Sequence, residues 1–392
     1  MLRLNSWFVL AVFAVFAFMV YGYAVHIPFI IDDRMFLNDN HKNIASLWNS
    51  FAVNPNDVYY RPLIHVVFKT MYYYFRDNSF GYHVVNLILY VLCAFSVYAL
   101  VRQMLNSFLT GFLAGLFFLL HPINHILIVG SSTTCYSLQV IWMILSMYFL
   151  SLRLPLAKVW SVACFILAIL CHESALILPL YVFGFFYFIR AENWIKSWVS
   201  GIGHWLVLGA FLILRMNFAR LDHTSINYFA FFKMSMMEYA ASFTKLLMWY
   251  TGQLILPDGI VPIWAAQVVR QGVGWRLLFL ALLMGGLWWL ARRMKKTKVG
   301  PGLGLWWLMM GFLPLIPACL VEPTRGLVIL PYWFVFSSIG FFIFMAQGLN
   351  GIVNFRPRDG AVIAGVLTVA LVLCWSILSY QYVDLWNNPI RP

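Results

Sequence analysis

Charged side chains are scarce in this chain. Lys, Arg, Asp and Glu together make up 10% of the 392 residues, and Asp and Glu number only 13, whereas 63% of the residues are apolar and 18% are aromatic. Soluble domains carry about a quarter charged residues, so this composition excludes a chain that folds in water. It is typical of a protein that crosses a membrane many times.

Cysteine is also rare. The six cysteines, at positions 93, 135, 164, 171, 319 and 374, all lie within or at the ends of apolar segments. A disulfide framework would place them in loops that face an oxidising compartment. The sequence therefore argues against a disulfide-stabilised domain, and the cysteines are interpreted as small core residues.

The net charge of +13 does not indicate a nucleic-acid-binding protein. The Lys and Arg residues are scattered over the segments that flank apolar runs, and no single basic patch emerges. Short loops rich in Lys and Arg remain on the cytoplasmic side of a membrane. With a cytoplasmic amino terminus, this rule places every acidic residue except Glu192 and Asp359 on or near the outer side.

Apolar windows of roughly 20 residues, the length that spans a bilayer, recur along the chain. The run 157–190 is too long for one crossing and contains His172 and Glu173, which predicts two helices with a turn between them. The stretch 233–257 is predicted to be interfacial or re-entrant, because a crossing there would place Arg292 to Lys298 outside. About eleven crossings result, from windows near 6–26, 82–104, 108–126, 134–151, 157–190, 197–215, 275–291, 303–320, 328–347 and 361–380.

The first apolar segment is interpreted as a retained helix, because it lacks a small-residue cleavage site before His26. It is followed by a large outer loop, 27–80, in which charged residues alternate with aromatic ones. This pattern favours helices that lie in the headgroup layer. Asp32 and Asp33 stand at the head of the loop, where two adjacent carboxylates suggest an active site at the outer membrane surface.

Further polar residues interrupt the apolar segments on the same predicted side. They are His121 at the end of the third segment, His172 and Glu173 within the fifth, and Arg325 in a short outer turn. Charged groups at bilayer depth are costly, by roughly 3 kcal/mol on insertion scales, so they face protein or a water-filled cavity. These residues are therefore candidates for a membrane-embedded site.

The order of these motifs resembles that of the GT-C superfamily of polyprenyl-phosphate-sugar glycosyltransferases. More narrowly, it is similar to the membrane part of the transmembrane-and-tetratricopeptide O-mannosyltransferases and their bacterial relatives, without the tetratricopeptide repeats. The chain departs from these relatives at His172, where Lys is usual, and at Gly130–Thr133, where Gly-Arg-x-Asp is frequent. The matching segments are Asp32–Asp33, Tyr60–Leu63, Gly81–Leu87, Leu120–Ile123, His172–Ala175, Leu178–Pro179 and Gly311–Pro331.

The resemblance implies an all-α polytopic membrane protein with a GT-C-like helix bundle. Residues 1–215 would form a conserved-type module that includes the outer loop 27–80. Residues 216–392 would form a variable module that contains the element at 233–257 and four further helices. The first choice of location is a bacterial inner membrane, with the amino terminus in the cytoplasm and the active site in the periplasm.

The resemblance also implies an inverting transfer of a sugar from a polyprenyl-phosphate donor to a hydroxyl group of a protein or glycan. Asp32 or Asp33 would be the general base, while the other orients it or contacts a metal. A divalent metal is possible, but no residue cluster has the spacing of a metal site. Two alternatives stay open: a transporter or lipid flippase, and a catalytically inactive GT-C-like assembly subunit. The other site residues would be Arg61, His172 and Arg325 at the donor phosphate, Glu173 holding His172 or Arg325, and His121 at the sugar or phosphate.

Overall fold

The structure, a computed structural model, describes most of the chain. The described residues are 6–30, 33, 47–51, 60–152, 154–218, 235–260, 264–294, 301–313, 320–322 and 326–387. They form two compact units, Met1–Leu178 with Phe342–Pro392, and Pro179–Phe341. The predicted division into modules 1–215 and 216–392 follows a family pattern instead of compactness, and it stays a prediction.

Fifteen α-helices are present in the described part of the chain. Six helical stretches are long and apolar enough to cross a membrane, or eight if two helix pairs that bend by 59° and 62° each count as one span. The chain is therefore an integral membrane protein. The helices are α1 Ser6–Tyr21, α2 Pro62–Phe75, α3 Ser79–Leu105, α4 Phe108–Leu120, α5 Ile126–Val129, α6 Thr134–Ser151, α7 Ala157–Cys171, α8 Leu178–Gly184, α9 Trp194–Ser200, α10 Ile202–Phe218, α11 Met236–Ile255, α12 Val273–Met294, α13 Pro301–Met310, α14 Val335–Phe355 and α15 Pro357–Asn387.

The prediction of a helical polytopic bundle is confirmed, whereas the count of eleven crossings stays a prediction. The long run 157–190 breaks at His172, as predicted, and continues as a 3-10 helix, Glu173–Ile177, followed by α8 and a π-helical turn, Phe185–Ile189. Helix α11 covers the segment predicted to be interfacial or re-entrant. It is not among the helices that meet the length and apolarity of a span.

One small sheet was not predicted. Its three strands are β1 Trp264–Ala266, β2 Leu320–Glu322 and β3 Gly326–Ile329, in the order β1-β3-β2. Both pairs are antiparallel, with Ala265 opposite Val328 and Leu320 opposite the same residue from the other side. Strands of three or four residues are too short to give a clear alternating pattern in the sequence.

Helices α3 and α4 of the first unit pack closely because glycines of α4 face α3 at their contact. A Cβ on Gly115 would lie 2.8 Å from the carbonyl oxygen of Ala94 and 2.8 Å from the Phe13 ring. A Cβ on Gly111 would lie 2.8 Å from the Cβ of Arg102. Gly111 and Gly115 form a G-x-x-x-G pattern, which lets two membrane helices approach at backbone distance.

Hydroxyl groups hold the carboxyl end of α4 in place. The Tyr21 and Tyr90 hydroxyls each donate to the carbonyl oxygen of Leu119, at 2.8 Å in both cases, and the Ser379 hydroxyl donates to the carbonyl oxygen of Leu120 at 2.8 Å. The last carbonyl groups of a helix have no partner within the helix, so these bonds satisfy them. They fix the direction in which the chain leaves α4 and enters the loop that carries part of the candidate site.

Candidate functional site

Asp33 is buried against the turn that leads into α6. Its side chain is 1% exposed, Oδ1 accepts a hydrogen bond from the backbone N–H of Ser132 at 2.7 Å, and Oδ2 accepts one from the backbone N–H of Ile30 at 3.1 Å. Ser132 lies in the 3-10 turn Ser131–Thr133 that leads into α6, where helix dipoles favour a carboxylate. Burial raises the pKa of Asp33 above its ordinary value, although the backbone N–H groups lower it.

The loop that binds this buried aspartate is held by two side chains of α3. His83 Nδ1 lies 3.1 Å from the carbonyl oxygen of Ile128, and the Asn86 amide donates to the carbonyl oxygen of Gly130 at 2.7 Å. The Thr134 hydroxyl donates to Asn86 Oδ1 at 2.6 Å. Both α3 side chains are fully buried. Together they fix the backbone that leads into α6.

Arg61 and Glu173 form a two-point ion pair. Arg61 Nε donates to Glu173 Oε2 at 2.7 Å, and Nη2 donates to Oε1 at 2.5 Å. The side chains are 13% and 33% exposed. Burial lowers the pKa of Arg61, but the hydrogen bonds and charge of Glu173 outweigh burial and raise it above its ordinary value. The sequence predicts that Glu173 holds His172 or Arg325, and this stays a prediction because Arg325 lies outside the described residues. Within them, Glu173 binds Arg61.

His172 occupies the break between α7 and the following 3-10 helix. Its Nδ1 accepts from the backbone N–H of Ser174 at 3.1 Å, which caps that helix. The Ser174 hydroxyl lies 2.9 Å from Nδ1 and 3.0 Å from Gln139 Oε1. The Tyr136 ring packs against the imidazole, with centroids 4.3 Å apart. The other ring nitrogen, Nε2, lies 4.0 Å from Glu173 Oε1.

The first turns of α6 connect these two groups of residues. Ser132 binds Asp33 through its backbone N–H, and Tyr136, four positions later, packs on His172. Four residues correspond to about 6 Å along a helix. Between them, the Cys135 thiol donates to the carbonyl oxygen of Ser132 at 3.3 Å. One end of α6 therefore brings Asp33 close to His172 and the Arg61–Glu173 ion pair.

His121 lies in an aromatic environment at the end of α4. Its Nδ1 accepts from the backbone N–H of Ile123 at 3.2 Å and so caps the 3-10 turn Pro122–Asn124. The ring centroid lies 4.6 Å from that of Trp375 and 5.3 Å from that of Phe342. The side chain is fully buried. These contacts give His121 a structural role, and the predicted contact with the sugar or phosphate stays a prediction.

Two predicted site residues, Asp32 and Arg325, lie outside the described residues. Within the described part of the chain, no group of three or more His, Cys, Asp and Glu side chains could hold a metal ion.

Four residues that contribute to this cluster were not singled out by the sequence interpretation. Tyr136 and Gln139 lie in an apolar segment, and a polar residue within such a segment indicates a face turned toward protein or a cavity. That rule could have pointed to Gln139, and to Asn86 in α3. Ser174 could have been found as the residue two positions after a helix-capping histidine.

Solved structures of an archaeal oligosaccharyltransferase share the fold of this chain. The Archaeoglobus fulgidus enzyme AglB, in complex with an inhibitory peptide and a dolichol-phosphate, matches at a TM-score of 0.57 and 15% identity, over 97% of this chain and 56% of that chain. The oligosaccharyltransferase of the same organism in complex with Zn and sulfate matches at a TM-score of 0.57 and 15% identity, over 96% and 53%. This chain thus spans just over half the length of those proteins. No protein-family model and no curated protein sequence matches it.

These likenesses establish the fold. Over nearly its whole length the chain shares the fold of these oligosaccharyltransferase structures, as the resemblance seen in the sequence led us to expect.

Proposed function

We propose that this chain is an integral-membrane inverting glycosyltransferase. It would move a sugar from a polyprenyl-phosphate donor to a hydroxyl group of a protein or glycan. The observation that carries the proposal is the cluster at one end of α6, where the Arg61–Glu173 pair and His172 lie next to buried Asp33. A cation, a hydrogen-bond donor and carboxylates in one place are what transfer from a lipid phosphate requires.

We assign the general base to Asp32. Both oxygens of Asp33 accept backbone N–H groups and its side chain is 1% exposed, so it is poorly placed to take a proton from an acceptor. The carboxylate of Glu173 is bound by Arg61, which makes it a weak base. Asp32 is the remaining carboxylate of the predicted set, and Asp33 would act as a positioning residue that anchors its neighbour.

We assign the donor phosphate to Arg61 and His172. A guanidinium carries five N–H donors in one plane, so an arginine oriented by one carboxylate can also bind a phosphate oxygen. Negative charge accumulates on the phosphate as the bond to the anomeric carbon breaks, and a fixed cation stabilises that charge. Glu173 would hold the guanidinium plane in position. Arg325 stays a proposed third phosphate ligand.

The reaction needs no covalent enzyme intermediate. The acceptor hydroxyl attacks the anomeric carbon from the face opposite the phosphate, its proton passes to Asp32, and the polyprenyl phosphate leaves with the bonding electron pair. The proposed setting is a bacterial inner membrane with the amino terminus in the cytoplasm. The site would then face the periplasm, where acceptor proteins or glycans are found.

The test is a transfer assay on the full chain in lipid nanodiscs. The donors are polyprenyl-phosphate-linked mannose, glucose, galactose and N-acetylglucosamine, and the readout is release of polyprenyl phosphate together with a labelled acceptor. We expect release with one of these donors and a large loss in Arg61→Ala. The matched control is Arg76→Ala, because Arg76 is an exposed arginine at the end of α2 in the same outer loop.

The same preparation separates the alternatives. A flippase would move a fluorescent polyprenyl-phosphate lipid across a liposome membrane without releasing lipid phosphate. An inactive assembly subunit would release none and would not respond to Arg61→Ala. Either result would refute the transferase assignment.

A further inference from the structure

Arg276 lies near the start of α12, in a helix that is long and apolar enough to cross a membrane. Its guanidinium lies over the Trp275 ring, 4.4 Å from the ring centroid, and Nη1 donates to the Thr244 hydroxyl of α11 at 3.4 Å. The side chain is half-buried, and its Nε–H is buried without an acceptor in the described part of the chain. Contacts that do not neutralise its charge therefore hold this arginine in one orientation.

The backbone before α12 holds the Trp275 ring in place. Gly272 has a φ of +67°, a conformation that residues with a side chain rarely adopt. A Cβ on Gly272 would lie 2.3 Å from Trp275 Nε1, so the indole rests directly against this glycine. The stacked guanidinium of Arg276 keeps N–H groups at its edge, and these can bind an anion.

The charge of Arg276 has no carboxylate partner among the side chains that the structure describes. The three ion pairs found there involve other residues. The acidic residue of α11, Glu238, accepts from the backbone N–H and the hydroxyl of Ser235, at 2.8 and 3.0 Å, and so caps its own helix. A cation at the edge of a membrane span is costly without an anion. A negatively charged ligand would therefore stabilise Arg276.

Two further cations lie beside the same turns of α11. The Lys245 Nζ donates to the carbonyl oxygen of Gln267 at 2.7 Å, and the Ser242 hydroxyl accepts from the backbone N–H of Val269 at 2.8 Å. These two bonds hold the segment before α12 against α11. Arg270 lies exposed at the end of that segment. The basic patch that results consists of Lys245, Arg270 and Arg276.

An exposed apolar face of α12 continues from the basic patch. Residues at helical positions i, i+3, i+4 and i+7 share one face of a helix. None of the span Val273–Leu290 is buried within the described structure. The residues of this face are Trp275, Leu278, Phe279 and Leu282, which are 57%, 60%, 39% and 67% exposed. Cations beside an apolar face of this kind fit a lipid, with its phosphate at the patch and an acyl chain along the helix.

The opposite end of α12 indicates the depth of Arg276 in the bilayer. There, Arg292 and Arg293 lie over Trp288 and Trp289, at 5.7 and 5.2 Å from the ring centroids. The helix between Arg276 and Arg292 is about 24 Å long. The hydrocarbon core of a bilayer is about 30 Å thick, and long basic side chains extend outward from each end of a span. The two Arg–Trp ends therefore place Arg276 at the level of lipid phosphates.

We propose that the basic patch binds the phosphate of an anionic phospholipid of the bilayer, and that an acyl chain of this lipid lies along the apolar face of α12. The edge of the Arg276 guanidinium would donate to the phosphate oxygens, while Lys245 and Arg270 add positive charge. A zwitterionic headgroup would bring an ammonium group among three cations, which is unfavourable. The lipid would stabilise the packing of α12 on α11, whether or not the chain transfers a sugar.

The binding test uses the full chain in nanodiscs that contain phosphatidylcholine and phosphatidylglycerol with the same acyl chains. Native mass spectrometry counts the lipids that the protein retains, and Tm is measured in parallel. We expect the wild type to retain phosphatidylglycerol in preference to phosphatidylcholine and to gain Tm as the phosphatidylglycerol content rises.

Substitutions of Arg276 test the contact itself. Arg276→Gln removes the charge and keeps a side-chain N–H. It should lower the affinity for phosphatidylglycerol by about tenfold or more, the effect of losing a hydrogen bond to a charged group. Arg276→Lys keeps the charge and should retain part of the affinity. The matched control is Arg76→Gln, because Arg76 is an exposed arginine over the Tyr72 ring, 5.6 Å from its centroid, and its loss should leave lipid retention unchanged.

Competition experiments identify the source of the phosphate. Soluble glycerol phosphate and polyprenyl phosphate are each added to the wild type with bound phosphatidylglycerol. We expect neither to displace it at equal concentration. Displacement by glycerol phosphate would show a site for soluble anions, and displacement by polyprenyl phosphate would show a site for the proposed donor. Either result would overturn the inference, as would equal retention of the two phospholipids by the wild type.

Photocrosslinking locates the lipid on the unaltered chain, so the test does not depend on a variant that folds. The probe is phosphatidylglycerol with a photoreactive group on its headgroup. We expect crosslinks in peptides that cover residues 240–250 and 267–282. Crosslinks confined to other peptides, or unchanged phosphatidylglycerol affinity in a stably folded Arg276→Gln, would overturn the inference.

Discussion

Arg61 and Glu173, 112 positions apart in the sequence, meet through two parallel hydrogen bonds of 2.7 and 2.5 Å. Arg61 directly precedes α2 in the loop 27–80, and Glu173 begins the helix after the break at His172. The pair therefore connects this loop to the helix bundle. It also orients the Arg61 guanidinium at the candidate site.

This pairing predicts strong coupling between the two positions. Arg61→Lys keeps the charge but lacks the planar fork of donors, so we expect it to lower thermal stability almost as much as Arg61→Ala. Glu173→Gln leaves a partly buried arginine without its counter-ion, at a cost of about 1–3 kcal/mol. A double-mutant cycle on Tm and on donor affinity measures the coupling. If the changes in Tm and donor affinity of the two single variants add up to those of the double variant, the pair does not act as a unit.

Asp33 is predicted to stabilise the outer loop. In Asp33→Asn, one of the two backbone N–H groups now bound would face an amide NH2 instead of an oxygen, which costs about 1–3 kcal/mol. We therefore expect a lower Tm. The control is Asp77→Asn, because Asp77 lies exposed in the same loop and its substitution should leave Tm unchanged. Equal Tm values for the two variants would contradict the anchoring role of Asp33.

The pH dependence of this contribution has a definite sign. Burial raises the pKa of Asp33 above its ordinary value. The carboxyl group of Asp33 therefore stays protonated to a higher pH in the folded chain than in the unfolded chain. The resulting stabilisation is complete below the unfolded-state pKa of about 3.9 and is lost as the pH rises through the folded-state pKa. The Tm difference between the wild type and Asp33→Asn should therefore shrink as the pH rises through that window. A difference that widens with rising pH would show that the pKa is lowered instead.

Substitutions of His121 test whether this residue caps a helical turn or contacts the sugar or phosphate. Asn can replace the imidazole Nδ1 as acceptor for the Ile123 N–H, whereas Phe fills similar space without an acceptor. We expect His121→Asn to retain stability and His121→Phe to lose about 1 kcal/mol, the usual value of a helix cap. Donor KM should be unchanged in both. A rise of KM by tenfold or more in stably folded His121→Asn would place this side chain at the sugar or phosphate.

Much of the fold could be predicted because a bilayer leaves few options. Apolar runs of membrane length must be helices, and a His-Glu pair inside the long run 157–190 predicts a break, which the structure has at His172. The strands were missed because three or four residues carry no periodicity. The boundaries of the two compact units, at Leu178 and Phe342, lie inside apolar segments, so the sequence carries no signal for them.

The candidate site could be predicted in its residues but not in its pairings. Charged and polar residues are rare in so apolar a chain. For that reason the sequence pointed to Arg61, His172, Glu173 and Asp33 as candidate site residues. The partners of Asp33 are backbone N–H groups at Ile30 and Ser132, and every residue except proline has such a group. The sequence thus offers no signal for this contact. The ion pair depends on how two distant segments meet, which is a property of the packed bundle.

The most direct test of the account is the rate at which the full chain releases polyprenyl phosphate from its donor, compared among the wild type, Asp32→Asn and Asp33→Asn. We expect Asp32→Asn to keep the wild-type Tm and to lose at least about a hundredfold in rate, a typical contribution of a general base. Asp33→Asn should lose stability and a smaller part of the rate. A wild-type rate in Asp32→Asn, with or without an effect of Asp33→Asn, would contradict the assignment of the base and the mechanism built on it.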